Sequence, residues 1–126
     1  MNVVIRTASW RTFTGPGRVG ICLGKPRGAP AGYRFYRKLA PTWQMRKLPY
    51  EPYRQIYDEI LAELDPEAVV REMQALADEW PITMMCFEVP PFDRQNFCHR
   101  RMVAHWLEQT LGIDVPEYQP ANGSPS

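Results

Sequence analysis

"PITMMCFEVPP", residues 81–91, decides the fold. From Ile82 to Phe87 the chain is almost wholly apolar, with Pro81 on one side and Pro90 and Pro91 on the other. The run is too short for a helix, and unbroken rather than alternating apolarity is how a strand covered on both faces reads. Segment 82–87 is therefore expected to be a central strand. The helix it feeds is expected at about 97–111, where Met102, Val103, Trp106 and Leu111 are apolar and Gly112 ends the run.

Two helices are expected upstream. "YEPYRQIYDEILAEL" (50–64) sets Tyr53, Ile56, Tyr57, Ile60 and Leu64 at helical spacing. "DPEAVVREMQALADEW" (65–80) follows, with Asp65 as N-cap, Pro66 at the first helical position, and Val69, Met73, Leu76 and Trp80 as the buried stripe. Before them, "NVVIRTASW" (2–10) and "RVGICLG" (18–24) read as strands separated by "TGPG". Their separation is short for a parallel crossover, so they either pair antiparallel or are not neighbours in the sheet. Residues 25–49 show no sustained period and read as an ordered loop carrying Tyr33, Phe35, Tyr36 and Trp43, with a helical turn near 33–39. "IDVPEY" (113–118) reads as a short edge strand and "QPANGSPS" as a polar, disordered tail.

The fold class that results is α/β, a small open sheet with helices packed on it. One domain over 1–118 is expected, followed by the tail 119–126. No apolar run approaches the length that spans a bilayer, and the N-terminus lacks the features of a secretory signal, so a cytoplasmic protein with reduced thiols is expected. Charge is segregated. Residues 1–54 carry eleven Lys/Arg and one acid, Glu51, whereas 55–126 carry four Arg and thirteen acids. That polarity suggests either a basic surface for an anionic partner or neutralisation of one half by the other.

The chemistry concentrates in "CFEVPPFDRQNFCHRR" (86–101). Ligands in open α/β sheets sit beyond the carboxyl ends of strands, beside the starts of the following helices. With Asn96 as N-cap, the amides of Cys98 and His99 would point outward and, with Arg100 and Arg101, form an anion site. A thiol in the first helical turn near arginines is biased toward thiolate, which favours Cys98 over Cys86 as the reactive one. His99 and Glu88 are the candidate acid/base groups, although Glu88 also reads as an ion-pair partner of Arg100. Cys86 also reads as an inert small apolar residue, and Cys22 as core. Ser9, Arg11 and Lys25 join Asn96, Arg100 and Arg101 as candidate ligand-binding residues. Cys86, Cys98 and His99 do not follow the paired spacing of structural zinc sites, so no metal site is expected. No glycine-rich phosphate loop, serine elbow or paired zinc-binding histidines occur. The sequence names no cofactor and no oligomeric state.

"MMCFE" ending a strand, "CHR" opening the last helix, and "VPE" near the end resemble the bacterial family called domain of unknown function 488, which includes the YeaO-like proteins. "YRKLAP" (36–41) and "YRQIYDEILAELDPEAVV" are similar to it as well, so the resemblance covers roughly 2–118. It implies an α/β fold with Cys86, Glu88, Cys98, His99 and Arg100 at one end of the sheet, and no activity. Three functions fit these residues. One is an enzyme or binding domain for a phosphate-bearing or nucleotide-like molecule. Another is a nucleic-acid or protein-interaction module using 25–47, with Arg34, Arg37 and Lys38 on phosphates and Trp43 stacking. The last is a thiol redox or metal site.

Overall fold

The computed structural model describes residues 3–120; the greater part of the expected tail, 121–126, lies outside them. Four strands form one sheet: β1 (Ile5–Ser9), β2 (Arg18–Gly20), β3 (Arg34–Phe35) and β4 (Ile82–Cys86). Three helices accompany them, α1 (Tyr50–Ala62), α2 (Pro66–Ala77) and α3 (His99–Leu111), with two 3₁₀ turns at Arg37–Leu39 and Gln44–Lys47.

The strand order is β1-β4-β2-β3 and every pair is parallel. β4 is central and buried at all of its positions, as its unbroken apolar run requires. Ile5 pairs with Ile82, Ser9 with Cys86, and Val19 with Met84. β1 and β2 are not neighbours, because β4 lies between them. The edge beyond β1 carries only a single bridge, Thr7 with Glu117, so "IDVPEY" contributes one paired residue and no strand.

Helices α2 and α3 touch each other, α2 lying on β2, β3 and β4 and α3 on β1 and β4, while α1 packs on α3. Ile82, Met84 and Cys86 face this helical layer, since Cys86 meets His99 of α3. The opposite face is covered by aromatic side chains. Arg6 there donates to Thr83 Oγ1 at 2.9 Å and lies 4.5 Å from the Phe13 ring. Gly20 is pressed between Phe35 and Trp10, and a Cβ on it would sit 2.7 Å from the Phe35 ring.

The helix signals hold at Asp65, whose Oδ1 accepts from the Glu67 amide at 3.2 Å, at Pro66 in the first turn, and at Gly112, which closes α3 with φ +67°. The stripes differ in detail. Ile56 and Trp80 are exposed, and Leu61, Val70 and Ala77 are buried instead. Trp80 lies past the end of α2, where the backbone has turned at Asp78 and the helical period no longer applies. The second strand is shorter than expected, and β3 emerges from the segment read as loop.

Tyr57 of α1 is fully buried, and its hydroxyl donates to the Leu39 carbonyl at 2.6 Å, tying the first 3₁₀ turn to the helices. Tyr57→Phe leaves that carbonyl without this donor. It is expected to cost about 1–3 kcal/mol, read as a lower denaturation midpoint at unchanged slope.

Candidate functional site

β4 ends at Cys86 and the chain returns to α3 through residues 87–98. Asn96 does not cap the helix, because its amide is spent within this loop, donating to the Val89 and Pro91 carbonyls at 3.0 and 2.8 Å. Asp93 Oδ1 accepts from the amides of Gln95 and Asn96, closing the turn. Cys98 takes the N-cap position with extended backbone, φ −137° and ψ 137°, and α3 starts at His99. The first free helix amides therefore begin two residues later than the sequence suggests.

This shift fixes the directions of the next side chains. His99 turns inward: its Nε2 lies 2.5 Å from the Ile21 carbonyl of the chain following β2, and its ring packs edge-on against Tyr57. A carbonyl only accepts, so Nε2 carries the proton. Nδ1 is left for the sulfurs. Cys86 Sγ is 3.7 Å from Nδ1 and 3.5 Å from Nε2, and the ligand atoms of Cys86, Cys98 and His99 all lie within 4.8 Å of one another. The three residues are buried.

Electrostatics divides the two thiols. Burial pushes Cys86 well above its ordinary value, reinforced by its hydrogen bond to Cys98. Burial alone would raise Cys98 too. The hydrogen bonds from Cys86 and His99, with the charges of His99 and Arg100, outweigh it and hold Cys98 well below its ordinary value. For His99, burial opposes the charged form, but Cys98 and the Ile21 carbonyl prevail and move it upward. Glu88 is exposed as a residue, yet its carboxyl is crowded by the protein at the end of β4. That crowding, and then the nearby Cys98, raises it to about 7.

Cys98 and His99 form part of the floor of a cleft of about 570 Å³, and Glu88, Gln95 and Asn96 line it as well. The opposite wall comes from the segment before α1: Pro41, Trp43, Arg46 and Leu48. Trp43 is 57% exposed, and the Arg46 guanidinium carbon stands 4.3 Å from its ring. Arg46, Tyr53 and the Ile21 carbonyl carry no sequence signal that separates them from structural residues. Only their convergence on Cys98 and His99 in space marks them.

The remaining candidates separate. Arg100 is fully buried and pairs with Glu117, Nε to Oε1 at 3.0 Å and Nη2 to Oε2 at 2.7 Å, rather than with Glu88. Arg101 donates to Thr7 Oγ1 and the Val115 carbonyl, both at 2.8 Å. Neither lines the cleft. Ser9 donates to the Phe87 carbonyl at 3.0 Å and accepts from the Arg11 amide, so it joins the ends of β1 and β4. Arg11 and Lys25 line a second groove that shares Phe87 with the cleft. In the basic aromatic segment, Arg37 donates to the Cys22 and Leu23 carbonyls and Lys38 pairs with Glu72, whereas Arg34 and Trp43 project outward. Cys22 is buried, yet it lines the cleft and accepts from Trp10 Nε1 at 3.5 Å. Among the described residues no helix is long and apolar enough to cross a membrane.

The family model described as "Domain of unknown function DUF488" matches residues 25–107. That span contains β3, α1, α2, β4, the cleft lining apart from Cys22, Leu23 and Gly24, and the Cys86, Cys98 and His99 cluster. No curated protein matches, and no solved structure does.

Proposed function

The chain belongs to the DUF488 family, and from that premise we propose that its cleft binds, and offers reactive groups to, a small anionic molecule with a planar ring, of nucleotide-like or other phosphate-bearing type. The observation that carries the reading is Trp43, more than half exposed at the rim with the Arg46 guanidinium on its ring, across from a floor of Cys98 and His99. An indole exposed beside a concave surface gains from a flat partner, and a guanidinium on the same wall supplies the charge for a phosphate. Glu88 lines the same cleft and would serve there as a proton carrier.

The expected behaviour is a rise in melting temperature with nucleoside mono- or diphosphates and a Kd measurable by calorimetry. Trp43→Ala is expected to cost about 1–3 kcal/mol of binding, roughly one to two orders of magnitude in Kd. Arg46→Ala is expected to remove the preference for phosphorylated over unphosphorylated ligands. If no such ligand shifts the melting temperature, or if both variants bind as the parent does, the reading is wrong.

A further inference from the structure

We propose that Cys86, Cys98 and His99 form a binding site for one thiophilic d¹⁰ cation, Zn²⁺ in the first instance, with its open coordination position facing the cleft.

The convergence comes from two elements, the end of β4 and the start of α3, so spacing along the chain does not reveal it. Bonds of about 2.3 Å to sulfur and about 2.0–2.1 Å to nitrogen, at a tetrahedral angle, put those atoms about 3.5–3.6 Å apart. Cys86 Sγ lies 3.7 Å from His99 Nδ1, the nitrogen left free for a metal, so that edge of the tetrahedron is nearly formed. The whole donor set falls within 4.8 Å, and modest contraction brings Cys98 Sγ to the same centre.

The surroundings fit a metal ligand as well. A ligating histidine characteristically gives its other ring N–H to a carbonyl or carboxylate, which fixes the tautomer and the ring plane. His99 does so through Nε2 to Ile21, which leaves Nδ1 unprotonated and 3.7 Å from Cys86 Sγ. Two thiolates and a neutral imidazole on a dication leave no net charge, the form that costs least to bury. Behind them the Arg100 charge is already matched by Glu117.

Cys98 and His99 line the cleft and Cys86 does not, so the three protein ligands close the inner side. Three ligands with an open fourth position is the catalytic rather than the structural arrangement of zinc. Glu88, on the cleft wall, is placed to hold a water there or to close the shell itself. On binding, the metal displaces one proton from Cys86 and one from the Cys98–His99 pair, and no oxidant or reductant is required.

The test uses the full chain without an affinity tag. Zinc is measured in the purified protein, and Co²⁺ is then added to the metal-free form while thiolate-to-cobalt charge-transfer and visible d–d bands are recorded. Stoichiometric zinc and tetrahedral cobalt bands are expected, and Cys98→Ser should weaken affinity on the order of 100-fold, the upper end of what even outer partners of a ligand cost. Cys86 is embedded in the sheet, so should Cys86→Ser fail to fold, the unmodified protein's cobalt spectrum decides by showing two thiolates. Absence of thiolate charge transfer at stoichiometric Co²⁺, or unchanged affinity in Cys98→Ser, overturns the site. No cleft ligand enters the measurement, so failure here and failure of the nucleotide-like reading are told apart.

Discussion

Glu117→Ala is expected to destabilise the protein by about 3–5 kcal/mol, the cost of leaving a buried charge without its partner. Arg100 is fully buried on α3, its only acidic partner among the described ion pairs is Glu117, and its Nη1 already lacks a hydrogen-bond partner. Glu117 also accepts from Thr7 Oγ1 at 2.6 Å and holds the chain's last segment against β1, so its loss frees that edge too. Domains of this size are stable by only about 5–15 kcal/mol, so the variant should unfold at markedly lower denaturant and lose the edge contact first. Glu117→Gln, which keeps the shape and one acceptor, should recover part of the loss. A midpoint equal to the parent's in Glu117→Ala would show that Arg100 finds another partner.

Gly17→Ala is the second large effect. Gly17 has φ +83°, and a Cβ there would lie 2.1 Å from the Pro81 carbonyl oxygen, which is backbone and has no rotamer to yield. The contact lies at the entry to the central strand, where the Thr83 amide donates to the Gly17 carbonyl at 3.0 Å. Gly28 supplies the control, with φ +70° and nothing within 4 Å of its Cβ position. Gly28→Ala carries only the left-handed backbone cost, about 1–2 kcal/mol. Gly17→Ala adds overpacking of about 1–3 kcal/mol and displaces β4. The difference between their unfolding free energies measures how tightly β2 and β4 are locked, and equal losses would mean that Pro81 moves freely.

The parts of the fold legible in the sequence are those set by local chemistry. The unbroken apolar run at 82–87 identified β4 as central, Asp65 and Pro66 marked a helix start, and Gly112 marked an end. β3 escaped because a two-residue strand has no period to detect, and its place is fixed by pairing with Val19 and Gly20. Arg100 and Arg101 looked available for an anion because their partners, Glu117, Val115 and Thr7, lie far from them in the chain or in another element.

The candidate site divides along the same line. Its residues were legible as a group, since thiols, histidine and carboxylate cluster in "CFEVPPFDRQNFCHRR". Their arrangement was not, because it depends on Asn96 being consumed by the loop, which moves the helix start to His99 and turns its ring toward Cys86. Spacing along the chain does not register their convergence either: the zinc patterns describe ligands on one turn or hairpin, whereas these three residues come from a strand end and a helix start brought together by the sheet.

The most direct test of the account, that Cys86, Cys98 and His99 act as one centre beneath the cleft, is the long-range ¹H–¹⁵N spectrum of the histidine rings during a Zn²⁺ titration of the intact protein. His99 is expected to keep its proton on Nε2 throughout while its Nδ1 resonance shifts with stoichiometric metal. The exposed His105 should stay unmoved. A His99 ring whose nitrogens do not respond to the metal, or respond only as those of His105 do, would contradict the account.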